Sequence, residues 1–129
     1  MIELENVDKT YDLVLDNYCL QSIVTDSDRQ KLLSVIGSLL KESGYYIIAT
    51  AMYNNSRHYG DDCFYSSLTG VVYDKIDDPE NYPDAKFIND HWWIPYRRHL
   101  KADALREELM KSGFIILFQE DGNLICKKG

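Results

Sequence analysis

The sequence has few of the features by which secreted, membrane-spanning or nucleic-acid-binding proteins are recognised. Its three cysteines are widely spaced, so neither a disulfide framework nor a C-x-x-C metal site is expected. No apolar run approaches the ~20 residues that cross a bilayer, and the first residues do not resemble a signal peptide. Lys and Arg number 14 against 21 Asp and Glu, a net charge of -7 that argues against nucleic acid or an anionic membrane as partner. We therefore expect a cytoplasmic protein with reduced thiols.

Glycine and proline are also scarce, and their positions are informative. No two of the seven glycines stand two residues apart, so the chain has no glycine-rich loop of the kind that binds nucleotides. The three prolines all lie between residues 52 and 99, where hydrophobic periodicity lapses. We expect this stretch to be a mostly irregular insert, although residues 66–73 could form a strand. Long loops inside compact domains usually have a function.

Residues 11–16 form a short run that is apolar at successive positions, which favours a strand buried on both faces in a parallel sheet. Thr25 can cap a following helix, in which leucine, isoleucine and valine recur with helical spacing as far as Leu40. Lys41 is expected in the last turn of that helix, with Ser43 and Gly44 ending it. The 129 residues, of which 45% are hydrophobic, suffice for one domain spanning residues 1–129.

Residues 45–51 then predict a second buried strand, so strand, helix and strand should form a right-handed parallel crossover. A second amphipathic helix is predicted over residues 102–111. The chain closes with strands at 114–119 and 123–127 around Asp121-Gly122, a dipeptide that is a strong signal for a two-residue hairpin. The expected fold is α/β, with a parallel pair of strands, a terminal antiparallel hairpin and helices packed on the sheet.

Three segments, taken in order, resemble the second half of class I S-adenosylmethionine-dependent methyltransferases. They are residues 12–24 (DLVLDNYCLQSIV), 39–48 (LLKESGYYII) and 105–114 (LREELMKSGF). The resemblance implies the C-terminal portion of a Rossmann-like sheet of about four strands, whose last strand lies antiparallel beside the family's fifth. It also implies S-adenosylmethionine as cofactor. Because the family's glycine-rich E/D-x-G-x-G loop is missing, we expect the isolated chain neither to bind the cofactor nor to be active.

The same resemblance predicts a partner. In the family another strand covers the one that corresponds to residues 11–16, and without it an apolar edge would be exposed, which proteins seldom tolerate. We therefore expect a homodimer, or pairing with a chain that carries the N-terminal half.

The resemblance assigns cofactor contacts to Asp16, Asn17 and Tyr18, at the carboxyl end of the first strand. Family members place residues beside the transferable methyl group there. The alternative is that Asp16 and Asn17 only form the turn after the strand. Amino-methylating relatives have a D/N-P-P-Y pattern at this point, whereas this chain reads DNYC, so nitrogen methylation does not follow.

The substrate site is expected in the insert. Its candidate residues are His58, His91, Trp92, Tyr96 and Arg97. Aromatic walls with one or two cations would suit a small, flat or anionic acceptor. The alternative is that the aromatic side chains cover an edge of the sheet or form a dimer contact. His58, His91 or a tyrosine of the insert could act as a general base. No metal is expected, because the potential ligands around His58 lie on a loop without fixed spacing.

Three functions follow as hypotheses. The chain could be a fragment of a small-molecule methyltransferase that is inactive alone. It could instead be a non-catalytic α/β module for interaction or dimerisation. It could also be a small binding protein whose pocket is the aromatic insert.

Overall fold

The computed structural model describes residues 9–54 and 62–129, which form two four-stranded sheets and two α-helices. Their bounds in chain order are β1 Tyr11–Asn17, α1 Asp26–Leu39, β2 Leu40–Ala49, β3 Cys63–Tyr65, β4 Val71–Ile76, β5 Lys86–Ile88, β6 His91–Arg98, α2 Ala102–Lys111, β7 Phe114–Glu120 and β8 Asn123–Lys128. Short 3-10 turns at Leu20–Ser22 and Pro79–Asn81 lie between them. No helix among the residues described is long and apolar enough to cross a membrane.

The first sheet has the strand order β1-β2-β8-β7. β1 and β2 are parallel, whereas β8 lies between β2 and β7 and runs antiparallel to both. The predicted parallel pair and terminal hairpin are therefore confirmed, as is the antiparallel position of the last strand. Asp121 has a φ of 51°, in the left-handed region that a two-residue hairpin turn needs.

Helix α1 begins as predicted but ends earlier. The Thr25 hydroxyl accepts a 3.2 Å hydrogen bond from the Asp28 amide and so caps the first turn. The helix stops at Leu39, because Leu40 already pairs with Tyr11 of β1. The predictions that Lys41 lies in the last turn and that Ser43-Gly44 ends the helix are wrong. Both fall within β2, where a register shift absorbs the extra residues.

The main core lies between one face of the first sheet and the two helices. Tyr46 and Ile48 of β2 point into it, together with Leu124 and Cys126 of β8. The helices contribute Leu33, Ile36, Leu105 and Leu109. Each of these side chains is at most 6% exposed, so this face is fully covered.

The described part of the insert is not irregular. It forms the second sheet, with order β3-β4-β6-β5 and every neighbouring pair antiparallel. Val71, Tyr73 and Trp93 form its own small core. Pro95 stands in the central strand β6, a position that normally excludes proline, but it lies at a register shift opposite Val72 and Tyr73. The strand predicted over residues 66–73 instead begins at residue 71, after a turn closed by the Gly70 amide and the Ser66 carbonyl.

Candidate functional site

A buried carboxylate organises the end of β1. Asp16 is 7% exposed, and its Oδ1 accepts hydrogen bonds from the backbone amides of Cys19 (2.9 Å) and Leu20 (3.3 Å). Its Oδ2 accepts a 2.8 Å hydrogen bond from the hydroxyl of Tyr46 on β2. Burial and the adjacent carboxylate raise the pKa of Tyr46 well above its usual range, so the tyrosine remains a donor. Both oxygens of Asp16 are thus engaged within the chain, as in the turn-forming alternative.

Asn17 and Tyr18 are exposed residues of this turn, as is Cys19. Tyr18 has a φ of 61°, which is uncommon for a bulky side chain and requires support from its surroundings. Its amide donates a 2.6 Å hydrogen bond to the Ala49 carbonyl at the end of β2. The carboxyl ends of the two parallel strands are thereby joined, with the Tyr18 side chain 57% exposed beside them. Ligands of open α/β sheets bind at such strand ends.

Gln21 is a second buried polar group at this end of the sheet. It is 5% exposed, and its side-chain oxygen accepts a hydrogen bond from the Ala51 amide just after β2. Neither Gln21 nor Tyr46 was predicted to take part in the site. Gln21 could have been noticed in the sequence as a polar residue among apolar neighbours. The contact of Tyr46 with Asp16 joins positions 30 residues apart, so no short sequence pattern indicates it.

Two arginines fix the surroundings of the turn. Arg29, 2% exposed, forms a two-pronged ion pair with Glu108 of α2 at 2.7 and 2.8 Å and also donates to the Leu20 and Ile23 carbonyls. Arg98, at the end of β6, pairs with Asp26 at the start of α1. Arg98 also donates to the carbonyls of Val24 and Thr69, at 3.0 and 2.8 Å. The second sheet is therefore anchored beside the carboxyl end of β1.

The substrate candidates of the insert do not share one surface. His91 and Trp92 are successive residues of β6, and their side chains point to opposite faces of the second sheet. His91 contacts the ring of Trp93 edge-on at 6.3 Å, whereas Trp92 lies 5.3 Å from Phe87.

Tyr96 and Arg97 lie further along β6, where the Arg97 guanidinium stands 4.8 Å over the Tyr96 ring. In the register of the second sheet Arg97 lies opposite Val72 of β4. The Tyr96 side chain is 48% exposed. His58 lies outside the described residues.

Two other kinds of site that a sequence can suggest, a cysteine nucleophile and a metal centre, can be compared with the structure. Cys19 is an exposed residue, but partial desolvation of its thiol, and next the Asp16 carboxylate, raise the pKa of that thiol, which is the opposite of what a thiolate nucleophile needs. In the part of the chain that the structure describes, no three His, Cys, Asp or Glu side chains are grouped so that they could hold a metal ion.

No protein-family model matches the sequence, and no curated protein sequence matches it. The solved structures that match include an S-adenosylmethionine-dependent methyltransferase from Clostridium acetobutylicum ATCC 824, with 16% identity and a TM-score of 0.57. They also include the CcbJ methyltransferase from Streptomyces caelestis (11%, 0.60) and the glycopeptide N-methyltransferase MtfA complexed with S-adenosylmethionine (16%, 0.53). The chain has the methyltransferase fold.

The match is nearly complete for this chain and partial for the others. It covers 96%, 98% and 95% of the chain, but only 61%, 61% and 55% of the three methyltransferases in the same order. The chain therefore spans less than two thirds of the length of the solved structures that it resembles.

The residues at the end of β1 do not by themselves fit the cofactor S-adenosylmethionine. Both carboxylate oxygens of Asp16 are already bound by three donors of its own chain, so this side chain is not a free acceptor for a ligand. Asn17 and Tyr18 remain, and they can form only part of a binding surface.

Proposed function

We propose that the chain is the C-terminal part of an S-adenosylmethionine-dependent methyltransferase that acts on a small molecule. The observation that carries the proposal is the match of nearly the whole chain to little more than half of solved methyltransferases. The chain would supply one wall of the ligand cleft, and a second segment with the glycine-rich loop would hold the cofactor. Alone, the chain would be inactive.

The wall that the chain supplies is the turn after β1. Methyl transfer depends mainly on aligning the acceptor with the methyl group. A turn held by Asp16 and by the bond between Tyr18 and Ala49 is suited to that task, because its geometry is fixed before the ligand binds. We assign Asn17 and Tyr18 to ligand contact and Asp16 to positioning them. Candidates for a general base are His58, His91 or a tyrosine of the insert.

A small acceptor agrees with the charge of the chain. The surplus of seven acidic residues disfavours a polyanionic acceptor such as RNA or DNA. MtfA is named as an N-methyltransferase of a glycopeptide. In this chain the sequence DNYC at the end of β1 does not identify which atom of the acceptor is methylated.

Calorimetry with S-adenosylhomocysteine tests this proposal. The chain alone should show no binding, whereas the product of the gene read together with its natural upstream sequence should bind. In that product Tyr18→Ala should weaken binding about tenfold, the loss of one contact of about 1.4 kcal/mol. Tyr82→Ala removes a half-exposed tyrosine far along the chain, between β4 and β5, and should leave binding unchanged. Measurable affinity of the chain alone would contradict the missing cofactor half.

The second candidate is a non-catalytic module for interaction or dimerisation. The exposed pair of Phe87 and Trp92 on the second sheet favours it, because adjoining exposed aromatic side chains are typical of interaction surfaces. An upstream sequence unrelated to a nucleotide-binding strand-turn-helix, together with no binding of S-adenosylhomocysteine, would select this candidate.

Both candidates predict that the purified chain associates. Leu15 of the edge strand β1 is 67% exposed, and in the described residues β1 pairs only with β2. Sedimentation velocity across micromolar concentrations should therefore show a dimer or larger species. A clean monomer throughout this range would contradict the expectation.

A further inference from the structure

Gln21 carries a hydrogen-bond donor that the described chain does not use. The residue is 5% exposed, and its Oε1 accepts a hydrogen bond from the Ala51 amide just after β2. Because a backbone amide can only donate, this bond identifies Oε1 and leaves Nε2 as a donor of two hydrogens. No group in the part of the chain that the structure describes accepts a hydrogen bond from Nε2, and this atom keeps a small opening to solvent. The carboxamide is therefore held at one end and free at the other.

A second glutamine shows the usual arrangement. Gln119 of β7 is only half-buried, yet its Nε2 donates to the carbonyls of Ala102 (3.0 Å) and Asp121 (3.4 Å). Buried polar groups in proteins nearly always have such partners, and each exception needs an explanation. Gln21 is an exception among residues 9–54 and 62–129, which points to a bound molecule as the missing partner.

The 3-10 turn that contains Gln21 lies where the two sheets meet. The turn contacts β6 of the second sheet, and Val24, which follows it, packs against the small core of that sheet. On the other side, the bond to Ala51 ties Gln21 to the end of β2. The free donor therefore lies between the carboxyl end of a parallel strand and the second sheet, and ligands of open α/β sheets bind at such strand ends.

The second sheet brings another unused polar group to this junction. Tyr73 belongs to the small core against which Val24 packs, and it is 7% exposed. Its ring lies 5.8 Å from Phe64, which in turn lies 5.9 Å from Trp93, so neighbouring rings hold it in place. Its hydroxyl reaches the surface and has no hydrogen-bond partner among the described residues. This phenol is a second donor available to a ligand.

Two lysines determine the charge of the same face. Lys75 and Lys86 lie in register with Trp93, one on each side, so the three side chains share a face of the antiparallel sheet. The Lys86 ammonium group stands 5.8 Å over the Tyr73 ring. Within the described residues neither lysine forms an ion pair, although the chain has a surplus of seven acidic residues. A ligand that complements this face therefore carries negative charge.

We propose that Gln21, Tyr73 and Lys86 form a binding site for an oxyanion of the ligand, either a carboxylate or a phosphate group, here called the anion site. Gln21 Nε2 and the Tyr73 hydroxyl donate hydrogen bonds to the oxyanion, and Lys86 supplies the opposite charge. All three residues belong to the described chain, so the anion site needs no second segment, unlike the cofactor site. That its ligand is the methyl acceptor rests on the proposed function.

Side-chain NMR of the 15N-labelled chain tests the proposal. Sodium acetate and sodium phosphate are titrated separately at constant ionic strength, with neutral acetamide as the uncharged control. The Gln21 carboxamide signals should shift and saturate with at least one anion and stay in place with acetamide. The Gln119 carboxamide is the internal control and should not respond, because its donors are already used. A response to acetate alone supports a carboxylate ligand, and a response to phosphate alone supports a phosphate ester.

Three substitutions, followed at the backbone amide of Ser22, distinguish a specific site from general attraction of anions. Gln21→Glu keeps an oxygen for the Ala51 amide but loses both donors and adds negative charge, so the affinity for the anion should fall at least about tenfold, or about 1.4 kcal/mol. Lys86→Met should lower the affinity as well. Lys31→Met removes an exposed lysine of α1 and should leave it unchanged. Circular dichroism checks the fold, and because Lys86 is exposed, its variant keeps the test valid if Gln21→Glu unfolds.

The anion site and the proposed function can fail separately. Absence of a saturable shift at Gln21, equal shifts at Gln21 and Gln119, or unchanged affinity in both Gln21→Glu and Lys86→Met would overturn the anion site. Saturable anion binding at Gln21, without S-adenosylhomocysteine binding by the gene product that includes its natural upstream sequence, supports the site and counts against a methyl acceptor as its ligand. Binding of S-adenosylhomocysteine by that product without a response at Gln21 supports the methyltransferase and overturns the site.

Discussion

The hydroxyl of Tyr46 donates a 2.8 Å hydrogen bond to Oδ2 of Asp16, across the two parallel strands that end at the candidate cleft. The other carboxylate oxygen accepts the amides of Cys19 and Leu20. One buried group therefore connects the end of β1, the following turn and β2. The left-handed conformation of Tyr18 lies within this arrangement and depends on it.

Replacing Tyr46 by Phe should destabilise the protein and loosen the turn. The ring keeps its contact with Phe114, but the buried Asp16 carboxylate loses a donor, which costs about 1–3 kcal/mol. Urea unfolding measures the free energy, and hydrogen exchange of the Cys19 and Leu20 amides reports on the turn. Tyr45→Phe is the control, because that side chain is 46% exposed on the opposite face. Equal stability of the two variants would contradict the role given to this hydrogen bond.

Removing the partner of Arg29 should have a larger effect. Glu108→Ala leaves a guanidinium that is 2% exposed without its carboxylate, and breaking a buried pair costs about 3–5 kcal/mol. Glu107→Ala, one residue earlier in α2, breaks only an exposed pair with Lys111 and should cost less than about 1 kcal/mol. Thermal and urea unfolding of both variants check the difference. A loss for Glu108→Ala as small as that for Glu107→Ala would show that Arg29 finds another partner.

Two glycine-to-alanine substitutions should change stability in opposite directions. A Cβ at Gly122 would collide with the Thr50 carbonyl, so Gly122→Ala should displace the hairpin turn from the end of β2 and destabilise the fold. A Cβ at Gly37 in α1 meets nothing within 4 Å, and alanine is favoured over glycine in a helix interior by about 0.5–1 kcal/mol. Gly37→Ala should therefore raise the unfolding free energy. If the Gly122→Ala variant had a higher unfolding free energy than the unchanged protein, the close contact between this turn and the Thr50 carbonyl would be disproved.

Stability should fall in alkaline solution. Burial raises the pKa of the Cys126 thiol from its ordinary value of 9.0 to about 11, and burial also raises the pKa of Tyr46. The unfolded chain loses these protons first, so stability is fully present below pH 9 and is lost as the pH rises towards 11. Cys126 alone would account for about 2–3 kcal/mol at about 1.4 kcal/mol per pKa unit. Cys126→Ala should flatten this pH dependence in urea unfolding, and an unchanged slope would exclude the thiol as its cause.

The parts of the fold that could be predicted are those with local signals. Thr25 caps α1 through its own side chain, and Asp121-Gly122 makes the hairpin turn from its own backbone preferences. Residues 11–16 and 45–51 are each mainly apolar at successive positions, and this pattern predicts two buried strands. Each feature depends on neighbours in the sequence, so the pattern was sufficient.

The insert was mispredicted because its sheet depends on distant pairing. Its strands β3 and β5 have three residues each, too short to show an alternating pattern. Three prolines suggested a loop, but Pro95 is accommodated at the register shift opposite β4. The end of α1 was misplaced for a similar reason, since the pairing of Leu40 with Tyr11 ends the helix before its own glycine does.

The sequence by itself determined the order of strands and helices in the first sheet and the apolar character of both sheet faces, since backbone preferences and hydrophobic periodicity act over a few residues. Only the tertiary structure decided which groups meet. Tyr46 reaches Asp16 across 30 residues, and Arg29 reaches Glu108 across 79. It also decided that α1 and α2 share one face and leave the other open. These outcomes depend on how the chain returns to itself, because a buried polar group must find a partner wherever folding brings one within reach.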